Sequence, residues 1–342
     1  MDKVFCLLES FSLASCLTDS AYEIFNSVLE ESMSSPDPLV QDLANRCGLA
    51  LLYHSTFAAP PPLLGDALHN VAPEDLFRQL ETLSHSFHFV SVDEYCAARD
   101  LKGLATITVD DGYQCVLDEA FGVFETLQIP LAIFVNRSFM ESQFFWRDKV
   151  RCIMERGRVE AFETRFARAF QRNPGQPFYR YTKDPRNNSI RVVEMLDSFL
   201  EDEPAIDAYT QYYTQVDQGL TVHPLVSYGS HSVNHYVLSS LSEDEQWREI
   251  DENCRFLKTL PGVHQTRVFS IPFGGDRDYN EATSRLVADA GHSAMLLSRG
   301  AVQRNGARHD GLLPMVDRVM SRNAEVPAFL ADLQTRLSWV GR

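Results

Sequence analysis

Two adjacent carboxylates, Asp110 and Asp111, follow an apolar, β-branched segment, LATITV at 104–109. Such a segment is typical of a buried strand, and two charged side chains at its end cannot both be core residues. The carboxyl ends of parallel strands form the catalytic face of α/β barrels. One carboxylate could bind a metal while the other faces a water, and Gly112 would let the chain turn sharply after them. Asp-Asp-Gly is also a common turn sequence, so the pair alone leaves both interpretations open.

Two histidines four residues apart, His231 and His235, form a second group of this kind. Both imidazoles can meet at one metal if their segment is helical or makes a tight turn. With one aspartate they would make a two-His, one-carboxylate set that leaves a position for water. Histidines also pair by chance, and we interpret His85 and His88, in a strand-like stretch, in that way.

The segments around these residues alternate between strand and helix patterns, which indicates parallel βαβ units. We therefore predict an α/β fold, a distorted (β/α) barrel over residues 48–342. Residues 136–226 interrupt the alternation with a long, aromatic and mostly helical stretch, which predicts an insertion between two barrel strands. Residues 1–47 are predicted to be an N-terminal helical extension, with 1–33 forming helices that pack on the barrel.

The composition narrows the classes of function. Of 342 residues, 44% are apolar and 23% are charged, which is typical of a globular protein. With 47 acidic and 31 basic residues the net charge is −16, which disfavours a general binder of nucleic acid or of anionic membranes. No apolar run reaches the length of a membrane span. The oligomeric state stays open.

The seven cysteines include no Cys-x-x-Cys pair, and their odd number indicates free thiols in a reducing compartment. The segment ending at Cys16 resembles a lipoprotein cleavage box, which would indicate export. Glu9 interrupts the apolar stretch before it, however, and Asp2 cancels Lys3 in what should be a basic leader. We therefore predict a cytoplasmic protein.

Several motifs in order resemble the polysaccharide deacetylase group, also called the NodB homology group or carbohydrate esterase family 4. The motif T-F-D-D-G of that family stands here as TVDDG at 108–112, and H-[ST]-x-x-H stands as HSVNH at 231–235. LLYH at 51–54, IPLAIFV at 129–135 and SIPFG at 270–274 also fit. The resemblance covers roughly residues 48–135 and 225–335, and the order of several motifs makes it specific.

The resemblance implies a role for each of these residues. Asp111, His231 and His235 would bind the metal, with zinc as the default and iron, cobalt or nickel also suited to the ligand set. Asp110 would be the general base that takes a proton from the attacking water. The backbone N–H of Phe273, after Pro272, would help to stabilise the tetrahedral oxyanion.

Two departures from the family pattern affect these roles. Ser270 stands where the family has an arginine that orients the catalytic aspartate. We therefore predict that Asp110 lacks a nearby cation and that its pKa lies higher than in relatives that keep the arginine. The late L-x-H motif, which supplies a general-acid histidine, is also absent. A known subgroup lacks both features and ends in a Leu-Pro-Arg stretch, which LPMVDR at 313–318 loosely resembles.

Other residues are candidates for smaller roles. His54, His292 and His309 could replace the missing general acid, although each could equally be a structural or surface histidine. Tyr113, His54, Trp146 and Arg147 are predicted to contact substrate, because aromatic rings stack on sugar faces, although core packing is the commoner reason for such a cluster. Arg147, Lys149, Arg151, Arg180 and Arg186 could bind the phosphate of a nucleotide- or lipid-linked sugar, or form a solvated face.

The family resemblance implies metal-dependent removal of an N-acetyl group from an amino sugar. A small saccharide or a glycoconjugate, such as a cytoplasmic polysaccharide precursor or a sugar-bearing metabolite, would be the substrate. Two other functions remain open. The same scaffold could cleave a non-sugar amide, an imide or an N-formyl group. Alternatively, the missing arginine and histidine could indicate an inactive carbohydrate-binding homologue.

Overall fold

A computed structural model of the chain describes residues 37–62, 69–173, 175–201, 207–216, 220–303, 308–309, 312–320 and 325–339. The described residues from Pro38 onward belong to one compact unit, Pro38–Arg342. The helices predicted within residues 1–33, and most of the extension predicted over 1–47, lie outside the described residues.

Helices and strands alternate along the described chain. The helices are α1 (Pro38–Arg46), α2 (Pro73–Ser84), α3 (Val92–Ala97), α4 (Cys115–Asp118), α5 (Phe121–Leu127), α6 (Arg137–Met140), α7 (Trp146–Glu155), α8 (Val159–Arg165), α9 (Phe178–Thr182), α10 (Ser189–Leu200), α11 (Glu243–Thr259), α12 (Glu281–Asp289) and α13 (Val326–Trp339). The strands are β1 (Leu49–Tyr53), β2 (His88–Phe89), β3 (Leu104–Val109), β4 (Leu131–Val135), β5 (Val226–Ser230), β6 (His264–Ser270), β7 (Ala294–Leu297), β8 (Arg308–His309), β9 (Pro314–Asp317) and β10 (Val319–Met320).

The strands form one sheet in the order β10-β1-β3-β4-β5-β6-β7-β9-β8, and β2 pairs beside β3. All pairs are parallel except β8 with β9. Only Arg318 separates β9, which pairs with β7, from β10, which pairs with β1. One short segment therefore joins the two sides of the sheet, and the nearly closed parallel barrel confirms the predicted fold class.

The barrel strands are almost wholly apolar because both of their faces are covered. All five residues of β1 and all five of β4 are buried, as expected for parallel strands that lie between a packed interior and a layer of helices. Helix α1 joins this layer through Val40 and Leu43 in the main core cluster. The structure therefore places α1 with the barrel, and the compact unit begins at Pro38 rather than at residue 48.

The described residues between β4 and β5 form five helices, α6 to α10, and a 3-10 turn at Asp207–Tyr212. Phe162 lies at the centre of this insertion, with four aromatic rings, Phe166, Phe170, Phe178 and Phe199, at centroid distances of 4.9–5.5 Å. The aromatic residues of the stretch thus serve mainly as its own core. In the described part of the chain, no helix is long and apolar enough to cross a membrane.

Gly229 allows β5 to lie against its neighbours just before the histidine segment. It pairs in register with Phe134 on β4, and a Cβ at Gly229 would overlap the Phe134 ring and lie 2.8 Å from Thr266 Cγ2. We expect Gly229→Ala to lower the free energy of unfolding by about 1–3 kcal/mol, because a packed interior accommodates extra volume only by strain.

Chemical denaturation measures this effect, with Gly122→Ala as the control. Gly122 lies in α5, and no atom lies within 4 Å of the point that an alanine methyl would occupy there. Alanine at this position should therefore be neutral or stabilising. Equal stability of the Gly229 variant and the wild type would contradict the packing argument.

Candidate active site

Asp111, His231 and His235 converge at the carboxyl ends of β3 and β5. Asp111 Oδ1 lies 3.3 Å from His235 Nε2 and 3.6 Å from His231 Nε2. One ligand atom from each residue lies within 4.8 Å of the other two, and all three residues are buried. The spacing of three donor atoms around a common point suits a small divalent cation.

Left-handed backbone conformations bring these side chains together. Among the described non-glycine residues, six have a positive φ, and four of them surround this group: Asp111 (69°), Ser232 (65°), His235 (57°) and Phe273 (64°). Each such residue costs free energy and persists only where its surroundings hold it, and such strain clusters at functional sites. At Asp111 the turn aims neighbouring carboxylates in different directions, Asp111 towards the histidines and Asp110 towards Arg318.

The neighbouring backbone orients each imidazole. His231 Nδ1 donates to the Ser270 carbonyl oxygen at 2.8 Å, which leaves the lone pair of Nε2 facing Asp111. The His235 N–H donates to Ser232 Oγ at 3.0 Å, and the indole of Trp146 donates to the His235 carbonyl at 3.0 Å. The His231 ring is therefore oriented through its Nδ1, whereas His235 is held through its backbone on both sides.

Buried polar side chains hold the histidine segment in place. Asn136, at the end of β4, donates to the carbonyls of His231 and Ser232. Glu249 on α11 accepts from the backbone and the side chain of Asn234, at 2.8 and 2.6 Å. Sequence analysis missed Asn136 and Glu249. The amide in HSVNH is the only local sign that the segment needs a partner.

The chemistry of the donor set fits a divalent cation. Asp111 Oδ1 and His235 Nδ1 are buried without a hydrogen-bond partner. Burial, and then the charge of Asp110, raises the pKa of Asp111 well above its usual range. Burial lowers the pKa of both His231 and His235, which favours their neutral, ligating form. These are the properties of a site in which a cation would replace the missing partner.

Asp110 lies in a buried polar network with Arg318 at its centre. Arg318 donates to both carboxylate oxygens of Asp110, at 2.8 and 2.7 Å, and is fully buried. Ser270 Oγ also lies 3.0 and 3.1 Å from these oxygens, and Arg318 Nη2 lies 2.9 Å from Ser270 Oγ. The fork-like contact is the strongest form of arginine–carboxylate pairing.

This network overturns the prediction that Asp110 lacks a cation. Burial would raise the pKa of Asp110, but the Arg318 guanidinium, with His231, holds it well below its usual range. The arginine that the family places at the position of Ser270 is supplied here from between β9 and β10. The small Ser270 side chain leaves room for it. The segment LPMVDR, which loosely resembles the Leu-Pro-Arg stretch of the family subgroup, contains Arg318, but the sequence alone did not indicate that this arginine would pair with Asp110.

Phe273 stands at the carboxyl end of the β6 segment, beside His235. Its ring lies edge-on to the His235 ring at a centroid distance of 4.6 Å. In the described residues no hydrogen bond engages its backbone N–H. A donor left free next to the three ligands is available for an oxyanion, as the resemblance predicts.

The three histidines considered as general acids have different positions. His54 follows β1 on the same face as Asp110, and burial lowers its pKa to about 3, which disfavours a proton donor. His292 precedes β7 at the amino ends of the strands, with Nδ1 3.1 Å from the Arg267 carbonyl. A full strand therefore separates His292 from the site, which excludes it as the acid. For His309 the structure describes the backbone only, in β8 at the edge of the sheet.

The predicted substrate contacts at Tyr113 and Trp146 are structural in this fold. Tyr113 is 1% exposed, and its hydroxyl donates to Asp148 at 3.1 Å. Trp146 is 2% exposed, so neither ring offers a face to a sugar. Both residues instead support the site from beneath. Arg147 is also buried, beside the Phe273 ring.

Comparison with known proteins agrees with this geometry. Residues 206–295 match the family model described as polysaccharide deacetylase. No curated protein matches the chain.

Among solved structures, the Streptococcus pyogenes deacetylase PplD in complex with acetate is 15% identical, with a TM-score of 0.51 over 85% of this chain and 98% of that chain. IcaB from Ammonifex degensii is 18% identical, with a TM-score of 0.48 over 84% of this chain and 97% of that chain. The likeness to PplD concerns the fold. The segment that matches the polysaccharide deacetylase model carries both histidines and Phe273.

Proposed function

We propose that this protein is a metal-dependent hydrolase that removes the N-acetyl group from an amino sugar. One observation carries the proposal. The three candidate metal ligands lie at the same end of the barrel as Asp110, a separate carboxylate that is paired with an arginine. Asp110 and His231 approach within 3.6 Å, between Asp110 Oδ2 and His231 Nε2. A proton acceptor and a cation site are thus adjacent without sharing a residue.

A divalent ion held by Asp111, His231 and His235 would polarise the acetamide carbonyl and make a water more acidic. Asp110 accepts the proton of the attacking water. Its pairing with Arg318 fixes the carboxylate in place and keeps it ionised. The single hydrogen of the Ser270 hydroxyl can occupy only one of the two carboxylate oxygens, so the other oxygen keeps a lone pair for the water proton. The inactive-homologue alternative does not account for this arrangement, because a binding protein needs no base.

The backbone N–H of Phe273 donates to the oxygen on which negative charge develops. A fixed donor of this kind is worth about 10²–10³ in rate where it has been removed from other enzymes. Phe273 has a left-handed backbone conformation, and its ring packs against the His235 ring.

We further propose a cytoplasmic substrate, such as a lipid- or nucleotide-linked precursor. In support, Cys96, Cys115 and Cys254 are free thiols, which is the usual state in a reducing compartment. Zinc is the metal that we propose, because it is the commonest ion in such a ligand set. Recovery of the native protein with a lipid on Cys16 would overturn the location.

The two aspartates should respond differently to the same substitution. We expect Asp110→Asn to keep one metal ion per chain and to lose about 10²–10⁴-fold in turnover, since it removes the base. Asp111→Asn should instead lower metal affinity, and chelation of the wild type should abolish turnover until zinc is restored. Metal analysis and acetate release from N-acetylated sugars measure both effects.

Two outcomes would contradict the assignment. An Asp110→Asn protein with wild-type turnover, or one without metal, would show that the roles of the pair are reversed or wrong. Turnover of formamides or cyclic imides without acetate release from any sugar would favour the other hydrolase. Binding of sugars with no turnover of any amide would favour a carbohydrate-binding protein.

Loss of Arg318 should affect both stability and the pH profile. In Arg318→Met the buried Asp110 carboxylate has no cation, so we expect about 3–5 kcal/mol less stability at neutral pH. Since Arg318 lowers the pKa of Asp110, its removal raises that pKa. The acidic limb of kcat/KM therefore moves to higher pH, where the base is again ionised.

If Arg318→Met fails to fold, the double variant Ser270→Arg/Arg318→Ser tests the same pairing. It places the guanidinium at the position that the family uses. It should therefore recover stability, and the acidic limb of kcat/KM should return most of the way to its wild-type pH. Ser270→Arg alone places two arginines at one carboxylate and should destabilise. An unchanged profile in a folded Arg318→Met protein would refute the pairing argument.

A further inference from the structure

Two cationic side chains of the insertion meet the ring of Phe273 beside the candidate active site. Lys183 Nζ lies 4.5 Å from the centre of that ring, and the Arg147 guanidinium carbon lies 5.6 Å from it. The same ring contacts His235. A single aromatic ring therefore separates these cations from a residue of the proposed metal site.

Arg147 is buried without a counter-ion. It is 1% exposed and stacks on the Tyr179 ring at 3.9 Å and on the Trp146 ring at 4.5 Å. Its hydrogen bonds go to neutral groups, Thr182 Oγ1 and the Tyr179 carbonyl, both at 2.8 Å. Its Nε has no partner at all. An arginine buried in this way is costly unless an anion compensates its charge.

Lys183 follows α9 and is partly exposed. Among the described residues it has no hydrogen bond and no ion pair. The acidic group that acts on it, Asp278, is not within ion-pair distance and already accepts from the Gly275 N–H at 2.8 Å. Burial, followed by the charge of Arg147, lowers the pKa of Lys183. The charge of the neighbouring Arg147 thus adds to the effect of burial on Lys183.

Three other cations of the insertion differ from Arg147 and Lys183 because they have acidic partners. Arg151 pairs with Asp148 inside the protein. Lys149 pairs with Asp197, and Arg186 pairs with Asp184 at 2.8 Å. The interpretation of this basic region as a solvated face therefore fails for the buried Arg147. Within the part of the chain that the structure describes, Arg147 and Lys183, which face Phe273, have no such acidic partner.

The pKa of the neighbouring Tyr179 phenol also indicates a positive electrostatic potential around Arg147 and Lys183. Burial raises the pKa of the Tyr179 phenol, yet Arg147, Arg151 and Lys183 together bring it down to about 8. Since the whole chain carries a charge of −16, an anionic substrate would meet general repulsion. A local concentration of positive charge at the site would offset it.

We propose that Lys183, backed by Arg147, forms a subsite for a carboxylate or phosphate group carried by the substrate. Lys183 makes the direct contact, because it is the more exposed of the two. Arg147 forms the buried base of the subsite, and its positive charge adds to the attraction of an anion. The inference rests on the proposed function, since it defines the substrate of that site as an anionic N-acetylated sugar.

A panel of three sugars tests the subsite with the metal-loaded protein. N-acetylglucosamine is neutral, N-acetylglucosamine 1-phosphate carries a phosphate, and N-acetylmuramic acid carries a carboxylate. We expect at least one anionic sugar to exceed the neutral sugar about tenfold or more in kcat/KM. The one that is preferred identifies the source of the anion.

Variants assign the preference to Lys183. Lys183→Gln should raise KM for the preferred anionic sugar by about 10- to 100-fold, the worth of a hydrogen bond to a charged group. It should leave kcat, and both constants for the neutral sugar, nearly unchanged. Lys183→Arg should keep most of the preference. Lys149→Gln is the matched control, because it removes a lysine of the same insertion that already has a partner, and it should change nothing.

Direct binding separates this inference from the proposed function. Calorimetry with the chelated protein measures binding of the same three sugars without any turnover. If no sugar releases acetate but Lys183→Gln still weakens binding of an anionic sugar, the proposed function fails and the subsite stands. The subsite is overturned if the wild type shows the same kcat/KM and the same affinity for all three sugars. It is also overturned if Lys183→Gln weakens the binding of neutral and anionic sugars to the same extent.

Discussion

The ion pair between Arg318 and Asp110, fully enclosed at the end of the barrel, is the interaction on which the site depends. A carboxylate in such surroundings would otherwise take up a proton or destabilise the fold. The bidentate contact, supplemented by Ser270, removes that penalty and holds the side chain in one orientation. The neighbouring Asp111 receives no such partner from the protein. The two aspartates thus differ because one is compensated internally and the other has charge left for a cation.

The same residue also marks the closure of the barrel. Arg318 lies between the short strands that pair with β7 on one side and β1 on the other. One short segment, Pro314 to Met320, therefore provides both the cation that pairs with Asp110 and the two strands that join the sides of the sheet. A change in this segment would be expected to affect barrel packing and the site together.

The insertion supports the site through direct contacts. Trp146 holds the His235 carbonyl, and Arg147 lies beneath Phe273, so the ligand loop rests on α7. Asn136 and Glu249 hold the loop from the barrel side. Strained left-handed residues can persist at the site because these contacts fix the loop from two directions.

The local pattern of the sequence was enough to predict the strands, the barrel and the residues that converge in the site. Apolar β-branched runs define strands, and the carboxyl ends of parallel strands lie on one face, so Asp110, Asp111, His231 and His235 could be expected near one another. Their separate roles came from the resemblance to the deacetylase motifs. The partner of Asp110 could not be placed in this way. Arg318 is 208 residues from Asp110 along the chain, and only the order of the strands, with β10 beside β1 and β1 beside β3, brings the two together. The burial of Trp146, Tyr113 and Arg147 was likewise decided by packing of the insertion, because an aromatic or charged side chain has the same local pattern whether it lines a site or supports one.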